Sequence, residues 1–320
     1  MDKHRMIRLL GIITAVGSYL MLLVGAIVTK TGSGKGCGNS WPFCHGQLIP
    51  ESLPMETVIE YSHRISSGGV GFLILILTVW SWLTYRSDRR VKLFAFLSLF
   101  FVVLQGALGA LTVVFEGPFA KKFALALHFG FSLISFSSVV LLVIHLFRMK
   151  DGKPAASTAA PVSQGIHWGI WLLAIYTYVV VYTGALVRHA EATMGCGYQF
   201  PGCGTTIFPG FDSIAGIHML HRYASILLWL LVLILFIAVR RVAKDQPDLV
   251  KGSGWALILI TLQAVSGVAT VLSGGQVLVA LVHTTIISVF FSAMCYLCML
   301  TGVPWKREPA KHVGGQAVLN

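Results

Sequence analysis

Apolar residues in this 320-residue chain run in long unbroken blocks rather than in the alternating or helical rhythm of half-buried elements. Eight blocks stand out, at about 9–28, 60–84, 93–115, 123–147, 167–187, 217–239, 254–272 and 278–301. Each comes near the roughly 20 residues that cross a hydrocarbon core of about 30 Å. The pattern predicts an all-α polytopic membrane protein with eight transmembrane helices. The first block follows a basic segment (Lys3, Arg5, Arg8) and has the outline of a secretory leader. It is too long for one and lacks a following small-residue cleavage site, so it reads as a helix.

Composition agrees, with 56% hydrophobic and 11% charged residues, against roughly 25% charged in soluble domains. The net charge of +12 sits in short clusters between the blocks. There it marks topology, and nucleic acid is not an expected partner. With both termini inside, the cytoplasmic segments carry Lys3, Arg5, Arg8, Arg86, Arg89, Arg90, Lys92, Arg148, Lys150 and Lys153. They also carry Arg240, Arg241, Lys244, Lys251, Lys306, Arg307 and Lys311, which makes seventeen of the twenty-four Lys and Arg. Positive-inside bias therefore predicts a multi-pass protein of the cell membrane with both termini cytoplasmic.

The blocks repeat. GAIVTKTGSGKGCGNSWPFC (25–44) aligns with GALVRHAEATMGCGYQFPGC (184–203) at an offset of 159, including both cysteines and a proline. Glu60-Tyr-Ser-His63-Arg64 aligns with His218-Met-Leu-His221-Arg222. Leu104–Thr112 aligns with Leu262–Thr270, and His128 with His283. Four spans per half predict two four-helix bundles in parallel repeat. The expected divisions are 1–150, a Pro/Ala/Ser-rich cytoplasmic linker at 151–166, a second half at 167–302 and a cytoplasmic tail at 303–320.

Cys37/Cys44 and Cys196/Cys203 occupy equivalent outer loops, where an oxidising compartment makes two short-loop disulfides the expectation. Loop stapling is one reading of them; a redox or substrate-handling role, strongest for the first loop, is the other. Cys295 and Cys298 lie inside an apolar span and read as packing residues.

Of eleven histidines, most are loop or terminal, with His189 and His218 of more interest because they flank the second-half cluster. His63, His128, His221 and His283 each lie in the outer part of an even-numbered span. An ionisable side chain in the bilayer is costly and marks function by default. Two histidines per half from two helices, with no third consistent partner, suit bis-imidazole ligation of a porphyrin better than a closed zinc or copper site. Ser66, Ser67, Gly68, Gly69 and Gly130 would give a flat macrocycle room. Arg64 and Arg222 are placed to meet its propionates or to anchor the helices at the interface. Glu60 stands where the second half has His218, on the same helix face as His63. It is either a carboxylate favoured by a helix N-terminus or an acid/base group beside one porphyrin only. That mismatch suggests a reactive first half and a resident cofactor in the second.

This motif set, over essentially the whole chain, resembles the heme A synthase family of bacteria and mitochondria. The resemblance implies an oxidoreductase that converts the C8 methyl of heme O to a formyl group for terminal cytochrome oxidase. It implies heme b between His221 and His283, substrate heme O near His63 and His128, and Glu60 at the substrate site. It further implies Cys37 and Cys44 in activity or in heme handover from heme O synthase, the protoheme farnesyltransferase, with an electron partner besides. Two readings compete: a diheme b-type transmembrane electron carrier, and a heme transporter or chaperone without chemistry. Hemes near opposite faces would favour the carrier, whereas all four histidines are expected near the extracytoplasmic side.

Overall fold

The computed structural model describes residues 3–114, 118–150, 153–154, 162–204, 206–207 and 209–304. The tail expected at 303–320, beyond 304, and most of the linker at 151–166 lie outside the described residues. Eight helices form: α1 (Lys3–Lys30), α2 (Met55–Thr84), α3 (Arg89–Val114), α4 (Pro118–Arg148), α5 (Gln164–His189), α6 (Ile214–Val242), α7 (Pro247–Leu272) and α8 (Val277–Thr301). All eight are long and apolar enough to cross a membrane. They outrun the apolar blocks by up to about two turns at their ends, because helix hydrogen bonds continue where polar side chains meet the interface. The only strands among the described residues are a two-residue antiparallel pair, Met149–Lys150 with Lys153–Pro154.

Local chemistry sets several boundaries. Ser213 accepts from the Gly216 N–H at 2.9 Å and caps α6, and Pro247 opens α7 where no donor is needed. Asp88 caps α3, its Oδ1 accepting from the Arg90 and Val91 N–H groups at 2.8 and 3.0 Å. α8 stops at Gly302, whose φ of 76° a side chain would resist.

Within the first four helices, α1 packs on α2, α2 on α3, α3 on α4 and α4 back on α1; α5 to α8 follow the same order of neighbours. Each set encloses its own buried cluster, around Ile74, Leu77, Leu142 and Leu146 in one and Ile170, Leu228, Phe290 and Met294 in the other. A third cluster (Leu22, Leu133, Phe136, Val181, Phe291) lies where α1, α4, α5 and α8 meet. The opposite helix faces expose large apolar side chains such as Val16, Phe72, Val103, Leu172, Ile234 and Val268, as lipid-facing surfaces do. Cys295 and Cys298 are free thiols packed within these clusters.

Candidate functional site

The even-numbered helices all begin at the end of the bundle that carries the disulfide loops. His63, His128, His221 and His283 fall between the seventh and eleventh residue of α2, α4, α6 and α8, hence roughly 10–16 Å below that end. Each ring lies against a glycine of the preceding helix. A Cβ on Gly25 would stand 3.0 Å from His63 Cε1, on Gly109 3.3 Å from His128 Cε1, on Gly184 2.8 Å from His221 Cε1, and on Gly267 3.2 Å from His283 Cε1. Any side chain there would push the imidazole away, so the four glycines fix how closely each histidine approaches its neighbouring helix.

Hydrogen bonds then orient three of the rings. His128 Nδ1 donates to the Gln105 carbonyl at 2.8 Å. The Thr183 hydroxyl donates to Val180 O at 2.8 Å, so it accepts from His221 Nδ1 at 3.0 Å. The Ser266 hydroxyl donates to Gln263 O at 2.9 Å and accepts from His283 Nδ1 at 2.8 Å. In each case the proton sits on Nδ1 and Nε2 keeps its lone pair, the arrangement of a histidine that ligates a metal through Nε2. The Gln263 amide donates to that lone pair on His283 at 2.9 Å; ligation would replace this contact. His63 differs, for its Nδ1 is buried with no hydrogen-bond partner.

His221 and His283 line one cavity of about 680 Å³, within the range of about 300–1,000 Å³ of ordinary ligand sites. Val180, Leu228, Trp229, Ile260 and Ile287 make its walls apolar, and Lys30, Arg188 and Arg222 bring positive charge to it. A flat apolar macrocycle with acidic substituents and two axial imidazoles fits these residues. Among the described residues no group of three or more His, Cys, Asp or Glu gathers for a metal ion, and axial ligation of a porphyrin needs two.

Above the histidines, the two cysteine pairs are bonded, Cys37–Cys44 and Cys196–Cys203, with Cα separations of 4.5 and 4.9 Å. Each loop is held by the arginine that follows a histidine. Arg64 Nη1 donates to Ser40 O and Phe43 O, both at 2.7 Å, and Arg222 Nη1 donates to Gln199 O at 2.5 Å. Residues 40 and 199 are equivalent at the offset of 159. Beneath each arginine sits the mismatched residue. Glu60, 4% exposed, accepts through Oε1 from Arg64 (Nη2, 2.5 Å) and through Oε2 from the Cys37 N–H at 2.8 Å. His218 accepts from Arg222 Nε at 3.1 Å through Nε2, and its Nδ1 is buried without a partner. A carboxylate therefore ties the first loop directly to the helix that carries His63, whereas the second half has no such tie.

Of the small residues expected to make room for a macrocycle, Gly68 and Gly69 keep open space beside them and Gly130 does not. A Cβ on Gly68 or Gly69 would meet nothing within 4 Å, and one on Gly130 would stand 2.5 Å from Tyr178 Oη. The glycines facing the rings are Gly25, Gly109, Gly184 and Gly267. Their signal was present as identities between the repeats, each in step with a histidine.

Fold and site define a membrane-embedded helical protein with paired histidines on facing helices near one end. Residues 8–295 match the family described as cytochrome oxidase assembly protein (COX15-CtaA), and the chain belongs to that family. It is similar along its length to proteins named heme A synthase. That of Shouchella clausii is 42% identical over 299 residues, covering 93% of this chain and 97% of the relative. That of Alkalihalophilus pseudofirmus is 41% identical, covering 94% and 99%, and that of Halalkalibacterium halodurans 40%, covering 93% and 97%.

Proposed function

We propose that this protein is a heme A synthase, an oxidoreductase of the cell membrane that converts the C8 methyl of heme O to a formyl group. The observation that carries this reading is the set of four histidines, each seated on a glycine, in a chain aligned over more than nine-tenths of its length with proteins of that name. His221 and His283 hold a resident heme b through Nε2, with Nδ1 fixed by Thr183 and Ser266. Heme b supplies one-electron redox chemistry beside the substrate site. His63 and His128 receive heme O. The unpartnered Nδ1 of His63 supports this division, because a ring without a fixing hydrogen bond turns more readily as substrate enters and product leaves.

Two successive two-electron oxidations, each adding one oxygen atom from dioxygen or water, would take the methyl to an alcohol and then to a geminal diol, which loses water to give the aldehyde. The electron partner balances the electrons of each step. Glu60 moves the proton; Arg64 holds its carboxylate, and the Cys37–Cys44 loop closes over it. Arg64 and Arg222 hold loop carbonyls, and each keeps an N–H group beyond those bonds for a propionate. Heme O arrives from heme O synthase, and an electron partner completes the cycle. Both termini lie in the cytoplasm, with the heme sites toward the extracytoplasmic side and the two halves related as a parallel repeat. The common depth of all four histidines disfavours a diheme electron carrier.

The test is to extract hemes from cells that make heme O, with and without this protein. Heme A is expected only with it. Heme O unchanged in amount, with heme retained on the purified protein, would instead favour a carrier or chaperone.

A further inference from the structure

Two cations reach the His221–His283 cavity from the contact between the halves. Lys30 ends α1, in the first half, yet a Cβ on Gly275 in the α7–α8 turn would stand 3.5 Å from its Nζ. Arg188, in the last turn of α5, donates from Nη2 to the Ala26 carbonyl of α1, and its Nε is buried without a hydrogen-bond partner. Both line the cavity.

Neither cation has an acid. The ion pairs among the described residues are Arg64–Glu60, His145–Asp88 and Arg148–Asp248. The helix C-termini offset part of each charge, since the negative dipole end acts over the last turn. They do not explain why Lys30 extends to another helix pair, or why two like charges are held close with an N–H unmet. A buried or half-buried charge without a partner is costly. Arg222, the other cation at this cavity, already gives three of its five N–H groups to His218, Gln199 and Gly197.

We propose that Lys30 and Arg188 form the carboxylate clamp of the second-half site, each meeting one of the two propionates of a heme ligated by His221 and His283. The inference rests on the assignment of that heme. Because Lys30 belongs to α1, the second-half site is complete only with the first half in place.

The test uses the full-length protein, purified heme-poor in detergent and titrated with protoheme or its dimethyl ester. The wild type is expected to favour the free acid, and Lys30→Gln and Arg188→Gln each to weaken protoheme binding about tenfold with little effect on the ester. Both neutral variants should lower the midpoint potential of the bound heme, because a nearby positive charge favours the reduced iron. Lys30→Arg and Arg188→Lys should keep both the preference and the potential. Equal binding of acid and ester by the wild type would overturn the clamp, as would a preference that survives both neutral variants or is lost alike in neutral and charge-keeping ones. If His221→Ala left heme binding unchanged, the heme assignment itself would fail, independently of the clamp.

Discussion

Ser137 and Ser292 meet hydroxyl to hydroxyl at 2.9 Å where α4 crosses α8, and the 155 positions between them are the offset that relates His128 to His283. Residues equivalent under a two-fold operation meet each other only on its axis, so this contact supports a two-fold relation between the halves. The flanking contacts agree. Tyr19 of α1 hydrogen-bonds Thr285 of α8 at 2.9 Å, and its equivalent, Tyr178 of α5, lies over Gly130 of α4, the equivalent of Thr285.

That packing makes Gly130 a sensitive position. Alanine in an exposed helix normally gains up to about 1 kcal/mol over glycine, but here its Cβ would fall 2.5 Å from Tyr178 Oη. Gly130→Ala is expected to cost about 1–3 kcal/mol through overpacking and to lower the thermal midpoint in detergent. Tyr178→Phe, which removes that oxygen, should restore part of the loss, while Gly68→Ala in open space should cost nothing. An unchanged midpoint for Gly130→Ala would show that the halves do not pack this way.

The His–Gly contacts give a second prediction. Gly184→Ala places a methyl 2.8 Å from the His221 ring and should displace that ring, which the proposed function makes a heme ligand. Purified Gly184→Ala protein is expected to keep its helix content but to lose about tenfold or more in heme affinity, from a similar packing cost. Heme absorbance per protein, compared with Gly68→Ala, checks it.

Much of this was legible in the sequence, for physical reasons. The eight spans were readable because lipid leaves little alternative to a long helix, and their ends blurred because the interface tolerates both polar and apolar residues. The histidines stood out because a titratable group amid apolar residues is costly. The cysteine pairing followed from equivalent loops. Glycines 25, 109, 184 and 267 were passed over because a glycine in an apolar helix carries no chemistry of its own; only its partner gives it meaning. Arg64 and Arg222 read as propionate contacts or interfacial anchors, and a local pattern cannot reveal that they also hold loop carbonyls more than twenty residues upstream. Lys30 and Arg188 were invisible as a pair because the contacts that bring them to one cavity, Lys30 beside Gly275 and Arg188 on Ala26 O, join positions far apart in the chain.

At the other end of the bundle, Asp88 caps α3 and its Oδ2 accepts from His145 Nε2 at 2.9 Å. Burial pushes the Asp88 carboxyl up, but the His145 hydrogen bond, the Val91 and Arg90 N–H groups and the His145 charge together bring it below its usual 3.8. A depressed carboxylate contributes stability that is fully present above its unfolded value and is lost as pH falls through its folded value. Asp88→Ala should therefore lower the thermal midpoint at pH 7, by a loss of about 1–2 kcal/mol from the cap alone. The gap between wild type and variant should narrow once pH drops below about 4. A gap that widened in acid would contradict the sign.

Glu60 is the residue on which the two halves part company, and its hydrogen bonds make two roles separable. If it only anchors the loop, Glu60→Gln keeps one acceptor oxygen, for either the Cys37 N–H or Arg64, and loses the other bond, so activity should fall by no more than about tenfold. If it moves a proton during oxidation of the methyl, the amide cannot replace it, and heme A formation should fall about 10²–10⁴-fold. Resident heme and both disulfides should be retained in that case, because His221, His283 and the second loop make no contact with Glu60. The proton-transfer role predicts the second pattern. Heme extraction from cells and the absorbance of the purified variant distinguish them: near-normal heme A with the amide in place would reduce Glu60 to a tether. Loss of both heme A and resident heme would instead mean that the first loop supports the whole bundle.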